Sequence, residues 1–356
     1  MAQHQRLSVL GLGPAGRALA HRAAERGWSV TGIDPAGGSM PSTIGMWERE
    51  MPEWVGAEAV GKRFFPTVIG SGGHKHMLPD AYLVLNTTIL KGFDGYEVVQ
   101  DTADPVEVEG AVVSTVNTEP LAVRQFAYGA ILPETALPQE HRIPVLMDFR
   151  DVSDGDGADT TFSYRIPLAD GRWLIEETIL VTRAGTAESM DLLKRNLTRR
   201  LGSLGIDETA TEEYETVNFP VGPAKLRSLQ GVQKFGVAGG WMHPATGYSV
   251  GSMLADVDRV LDDLDGGKPF PPRGGWPLLW LRRRGLVVLL AFDPQQTREF
   301  FDAFFTLPDR LIHNYLTGRG GVPGTAAAMV ALSVPLARRA PKVLGTLLSA
   351  FLFRRL

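Results

Sequence analysis

Two stretches of this 356-residue chain carry residue types able to do chemistry. The first is Gly11-Leu12-Gly13-Pro14-Ala15-Gly16, a G-x-G-x-x-G turn between a predicted strand, Arg6 to Leu10, and a predicted helix, Arg17 to Arg26. Gly11 permits the tight turn, Gly13 lets backbone approach a pyrophosphate, and Gly16 lets the helix lie close to the strand. The helix start, with Pro14 and Ala15, offers amide donors and a favourable dipole to a diphosphate. A second predicted strand, Trp28 to Ile33, ends at Asp34, 18 residues past Gly16. A carboxylate there can accept from ribose hydroxyls and would repel a 2′-phosphate.

The second stretch is Glu176-Glu177, inside a predicted strand from Arg172 to Thr182. A strand sends adjacent side chains to opposite faces. Glu177 shares its face with Trp173, Ile175, Ile179 and Val181, and Glu176 shares a more mixed face with Arg172, Leu174, Thr178, Leu180 and Thr182. Alternation therefore selects Glu177 as the desolvated acid. Taken without other information, the two read as a solvated pair with Arg172 as partner. Asp148 precedes Arg150 on one strand face. It either holds an acid or a cofactor in place or forms a plain salt bridge with Arg150. Trp47, Trp54, Phe64, Phe65, Tyr128, Trp173 and Trp241 could stabilise cations through their ring faces or simply pack in the core.

Other signals are weaker. His74-Lys75-His76 has no third ligand in register, so it reads as a surface loop, and no metal site is expected. Asp154-Gly155-Asp156-Gly157 lacks the acid that closes a calcium loop and reads as a hairpin turn. With no cysteine, thiolate chemistry, disulfides and Cys-ligated metals are excluded.

The elements that must position these residues form a nucleotide fold interrupted by a mostly antiparallel sheet and finished by helices, an α/β (α+β) class. Strands are expected at Tyr82 to Leu85, Glu97 to Val99, Ala111 to Val116, Arg142 to Arg150, Thr160 to Ile166 and Gly236 to Ala238. Helices are expected at Glu188 to Leu204, Gly247 to Leu264 and through most of the chain beyond Trp276. The expected division is a discontinuous dinucleotide domain (1–60, 100–140 and 230–268), a substrate domain (61–99 and 141–229) and a helical region (269–356).

Net charge is −4, unevenly spread. Trp276 to Leu356 holds 11 Lys+Arg against 4 Asp+Glu, and the preceding residues 25 against 36. A basic, apolar end suggests a membrane surface and not nucleic acid. The charge-free span Gly320 to Ala337 contains Pro323 and Pro335, and interfacial helices are expected there. No signal peptide is read at the start, so a cytoplasmic, peripherally membrane-associated protein is expected.

Several short pieces then line up in order: Gln125-Phe126-Ala127-Tyr128-Gly129, Val145-Leu146-Met147-Asp148-Phe149-Arg150, Leu174-Ile175-Glu176-Glu177-Thr178, Gly236-Val237-Ala238-Gly239-Gly240-Trp241-Met242-His243-Pro244-Ala245-Thr246-Gly247-Tyr248-Ser249 and Phe300-Phe301-Asp302-Ala303-Phe304-Phe305-Thr306-Leu307-Pro308. With the N-terminal fingerprint, the chain resembles the flavoprotein lycopene cyclases of carotenoid synthesis. The resemblance covers roughly residues 5–315. It implies redox-neutral closure of the linear ends of lycopene, or a related acyclic carotenoid, to β-ionone rings. It also implies FAD in its reduced form, NAD(P)H as electron source, and the fold of flavin-dependent hydroxylases and reductases. An isoprenoid double-bond reductase or a hydroxylase on that fold is the alternative. The resemblance ranks Glu176 above Glu177 as the acid, against the alternation argument. The Gly-Asp pair that many relatives carry at the second flavin strand is absent. Amides of Gly239, Gly240, Thr246 and Gly247 are expected to hold the flavin instead.

Overall fold

The computed structural model describes residues 5–102, 104, 108, 110–116, 123–155, 159–222 and 231–355. A parallel sheet is built from β1 (Arg6–Leu10), β2 (Ser29–Ile33), β8 (Glu97–Val99), β9 (Ala111–Ser114) and β15 (Val232–Lys234) in the order β15-β9-β1-β2-β8. Helix α1 (Pro14–Glu25) leaves β1 through the glycine turn, and α4 (Val250–Asp265) packs beside it. Alanines give α1 a thin buried face, with Ala15, Ala18, Ala20 and Ala23 all in the core. Small residues let a helix lie close to its sheet, which sets where the helix start points.

A small antiparallel sheet joins β3 (Gly45–Trp47), β7 (Tyr82–Leu85) and β4 (Val60–Phe64) in that order. The third sheet has seven strands: β5 (Thr67–Ile69), β6 (Lys75–Met77), β10 (Arg124–Pro133), β11 (Val145–Asp148), β12 (Thr161–Pro167), β13 (Arg172–Thr182) and β14 (Glu213–Pro220). Their order is β14-β10-β13-β12-β11-β5-β6, antiparallel except for the β11–β5 pair.

The register of β13 decides which acid faces which layer, because a slip of one residue would exchange Glu176 and Glu177 between faces. Two features fix it. The turn after β12 closes with a hydrogen bond from the Leu168 amide to the Arg172 carbonyl at 2.8 Å, with Gly171 at φ +83°. Trp173, Ile175 and Ile179 are then buried beneath helix α3 (Thr186–Ser203). That helix buries Leu192, Leu193, Leu197 and Leu201 at helical spacing. Each buried leucine stabilises by roughly 1.5–3 kcal/mol, which outweighs any single polar term at the surface.

The opposite face of this sheet meets β3, β4, β7 and the C-terminal helices in one large core. Those helices are α5 (Gly275–Leu289), α6 (Pro294–Phe304), α7 (Asp309–Thr317), α8 (Gly321–Arg339) and α9 (Pro341–Phe353); short α2 (Thr87–Lys91) lies beside α1. Helix α6 starts with a capping box, Asp293 accepting from the Gln296 amide at 2.8 Å, and drives Phe300, Phe301 and Phe304 inward.

Three expectations are corrected. The strand expected at Gly236 to Ala238 is a turn: pairing ends at Lys234, and Gly236 takes φ +64°, which a strand does not tolerate. The expected helix start at Gly247 moves to Val250, since Gly247 stands at φ +77°. Two strands fall on the other side of the expected division: β10 hydrogen-bonds within the seven-stranded sheet, and β8 within the parallel one. Asp156 and Gly157 lie outside the described residues. His74 is exposed and His76 pairs with Asp309 at 3.1 Å, on and beside the β5–β6 hairpin. Among the described residues, no helix is long and apolar enough to cross a membrane.

Candidate active site

The glycine turn meets the demands of a dinucleotide. Gly11 sits at φ +87°, where a side chain is strained. A Cβ on Gly16 would collide with the Gly11 carbonyl oxygen, so only glycine lets α1 pack so closely. Gly13 differs: a Cβ there would meet nothing within 4 Å. Protein packing leaves this position free, which is the room a pyrophosphate needs. Gly13 caps α1 with no side chain on its first amides, and Pro14 opens the helix at a position that needs no donor. Asp34 accepts from the Leu12 and Ala36 amides, both at 2.8 Å. Its carboxylate is thereby held at the end of β2, beside the turn.

The other end of the nucleotide fold departs from expectation. The amides of Gly239 and Gly240 bond to carbonyls within their own turn, Phe235, Gly236 and Val237. Those of Thr246 and Gly247 both bond to the His243 carbonyl. They are therefore consumed locally. At this end helix α4 starts at Ser249 with no side-chain bond capping its first amides. A cavity of about 350 Å³ lies there, lined by Glu50, Ser252, Arg273 and Arg282 among others. Gly251 must lack a side chain because the Glu50 carboxylate packs on it.

Glu176 and Glu177 are both buried, so the solvated-pair reading does not hold; Arg172 pairs with Asp170 at 2.7 Å and with Glu213 at 3.4 Å. The two acids have opposite environments. Glu177 lies under α3 and accepts from Arg200 Nε at 2.7 Å. Arg200 also approaches Asp148 at 3.8 Å, and Asp148 is bound by Arg150 (Nε, 2.9 Å) with Arg165 3.7 Å away. Burial pushes Asp148 up, but the hydrogen bonds and charges of Arg150 and Arg200 outweigh it and hold its carboxyl low. Asp148 thus belongs to an ion network with Glu177, on the face away from Glu176.

Glu176 faces the large core; among the described residues no basic group lies in hydrogen-bond range of it, and its one side-chain bond is from the Thr178 hydroxyl at 3.3 Å. Burial, and then the charge of Glu215, push its carboxyl up to about 8. Gly129 lies opposite it on β10. A Cβ on Gly129 would stand 3.0 Å from that of Glu176, so the glycine gives the acid room to lean. Tyr164 is its partner on β12. An apolar, aromatic core around a carboxyl with a raised pKa favours its neutral, protonated form.

The model of the lycopene cyclase protein family matches residues 105–337. The chain belongs to the lycopene cyclase family. A lycopene beta cyclase of Nicotiana tabacum chloroplasts is 28% identical over 379 residues, covering 89% of this chain and 75% of its own length. A carotenoid cyclase of Deinococcus radiodurans, itself uncharacterized, is 28% identical over 96% of both chains. Among solved structures, a geranylgeranyl bacteriochlorophyll reductase-like protein of Thermoplasma acidophilum matches with a TM-score of 0.54 at 12% identity, covering 97% of this chain and 99% of that one, a likeness of fold.

In this family member, sequence reasoning missed several groups around Glu176. Glu215 of β14 lies on the same sheet face, beyond Gly129. Tyr82 and Tyr248 join Tyr164: the buried Tyr248 hydroxyl sits beside those of the other two without a well-formed hydrogen bond. Glu50, buried among Arg319 (3.9 Å) and Arg282, is pushed up by burial to about 7. Of the aromatics singled out from sequence, Trp47 and Phe64 share the Glu176 core, Trp47 at 5.1 Å from Tyr82. Trp173 packs under α3, Tyr128 stacks on Tyr214 at 5.2 Å, Trp54 lies by Phe93, Phe65 is exposed, and Trp241 bonds Asp256 at 2.9 Å.

Proposed function

We propose that this chain closes the linear ends of lycopene, or a related acyclic carotenoid, to β-ionone rings without net redox change. One observation carries the reading: Glu176 is a buried carboxyl facing an aromatic core, with no basic partner among the described residues. Protonating an isolated alkene needs an acid that keeps its proton at neutral pH, and an ordinary carboxyl near 4 does not. Glu176 donates the proton. Tyr82, Tyr164 and Trp47 present ring faces that stabilise the resulting cation, and the apolar walls exclude water that would trap it as an alcohol. The neighbouring double bond attacks, and a second proton leaves.

FAD is the dinucleotide this reading requires. Gly11, Gly13, Gly16 and Asp34 would hold its ADP end, and the α4 start its other end. When bound in the reduced state it supplies electron density that favours positive charge nearby, with NAD(P)H as the reductant. Gly13→Val is expected to fold with the melting temperature of the flavin-free parent, because the structure has room for the side chain. It is expected to purify without flavin, since the valine fills the pyrophosphate's place. A yellow, flavin-bound Gly13→Val protein would contradict the assignment.

The helical end supports a peripheral membrane protein. Trp276 and Trp280 on α5, Val330 and Val334 on α8, and Leu348, Leu352 and Phe353 on α9 are all exposed. They lie among the arginines of the basic segment, the composition of an interfacial surface. Replacing Trp276, Trp280 and Phe353 by Ser together is expected to abolish sedimentation with anionic vesicles while leaving the fold intact. Unchanged sedimentation would remove the membrane assignment. The function itself is tested by pigment chromatography of lycopene-accumulating cells with and without the chain. Cyclic products of unchanged mass support it; hydrogenated or oxygenated products favour the reductase or hydroxylase alternatives.

A further inference from the structure

Proton donation by Glu176 leaves a ring cation, and the reaction ends only when a base removes a different proton. The seven-stranded sheet sets a second carboxylate in the same row. Tyr164 of β12 pairs with Glu176 of β13, Glu176 with Gly129 of β10, and Gly129 with Glu215 of β14. Since all four are directly opposed, they share one face, and the one between the acids has no side chain. Two strand spacings separate the acid backbones by about 10 Å, and the space over Gly129 between them holds the Leu174 side chain and the Glu176 methylenes, which a ring must push aside to reach both carboxyl groups.

The two acids are held differently. Glu215 is 8% exposed and its carboxylate accepts three bonds from Thr43: the amide to both oxygens, at 2.9 and 3.0 Å, and the hydroxyl at 2.8 Å. Donors aimed at both oxygens favour the ionised form. Glu176 has a single long bond from Thr178. Burial, the largest influence, raises Glu215 as well, and the Thr43 bonds oppose that rise without cancelling it. Paired acids in unlike surroundings divide into a proton donor and a proton acceptor.

Resting on the cyclase reading above, we propose that Glu215 is the base that takes the proton from the ring cation and so selects the position of the ring double bond. The balance closes without an oxidant. The Glu176 proton goes to one alkene carbon, the second alkene's electron pair forms the ring C–C bond, and the C–H pair released to form the new double bond leaves its proton on Glu215. The substrate is isomerised, and the proton returns from Glu215 to Glu176 before the next turnover. Thr43 is the positioning residue for this base.

The test uses the full-length, flavin-loaded protein with lycopene in vesicles. Glu215→Gln is expected to lower kcat by ~10²–10⁴-fold with KM within about threefold, and to spread the residual product over rings with a displaced double bond or a hydroxyl. Thr43→Val, which keeps the carboxylate, is expected to lose less than about tenfold in kcat with the same ring isomer. Wild-type kcat in Glu215→Gln overturns the proposal. So does an equal loss in both variants with an unchanged isomer, which marks Glu215 as structural only. Should Glu215→Gln not fold, Glu215→Asp, with the carboxylate withdrawn by one methylene, decides: a shifted isomer distribution supports the proposal and a wild-type one overturns it. A wild-type protein that leaves lycopene unchanged removes the cyclase reading itself.

Discussion

Glu176→Gln is expected to give a folded, flavin-bound protein that cyclises lycopene ~10²–10⁴-fold more slowly than the parent. The amide matches the carboxyl in shape but cannot donate to an alkene. The fold is expected to gain, not lose. The folded state raises the Glu176 pKa from the ordinary 4.5 to about 8, so the folded protein holds a proton that the unfolded chain has released. Its contribution to stability is fully present below about 4.5 and is lost progressively as pH rises to about 8. Glutamine removes that slope, so the variant should resist urea better than the parent at pH 9. The same protonation governs rate. Parent activity is expected to fall about tenfold per unit above about pH 8, as Glu176 loses its proton, and to fall again in acid as Glu215 gains one. A pH–rate profile and a urea titration of both proteins check the two halves. Parent-like turnover in Glu176→Gln would remove the residue from the chemistry.

The glycine turn between β1 and α1 was legible in sequence because its requirements are local. Gly11, Gly13 and Gly16 each answer a demand made within six residues, and the structure gives each its own surroundings. Alternation also placed Glu176 and Glu177 on opposite faces of one strand. It misjudged what burial would mean. Glu177 has the more apolar neighbours, yet Arg200 reaches it from α3, 23 residues later, and no strand pattern contains that contact. Glu215, Tyr82, Tyr164 and Tyr248 were invisible for the same reason: sheet pairing and domain packing bring them to Glu176 from 12 to 94 residues away. The turn at Gly236 to Gly240 misled in the other direction. Gly-Val-Ala has strand composition, but positive φ at Gly236 and Gly240 folds the chain back and uses up the amides assigned to the flavin.

Arg200→Leu is expected to be the most destabilising of the single changes, at ~3–5 kcal/mol. Arg200 and Glu177 are 2% and 0% exposed in their side chains, and one Glu177 oxygen already lacks a hydrogen-bond partner. Removing the guanidinium strands the charge on Glu177 beneath α3, takes a bond from the Arg150 carbonyl, and weakens the hold on Asp148. Leucine replaces the volume and leaves the electrostatic loss. The double variant Arg200→Leu with Glu177→Gln is expected to recover more than half of it, because a neutral amide tolerates burial better than an unpaired carboxylate. Urea midpoints of the parent, both single variants and the double form the cycle that isolates the pair. A loss below about 1 kcal/mol in Arg200→Leu would mean that solvent reaches Glu177 and that the network is a surface one. Whatever its size, the loss should leave kcat of the folded fraction unchanged, because the network lies on the face of β13 away from Glu176. Adjacent residues thus meet opposite demands: Glu177 must be paired for the sheet to hold, and Glu176 must be left unpaired to keep its proton.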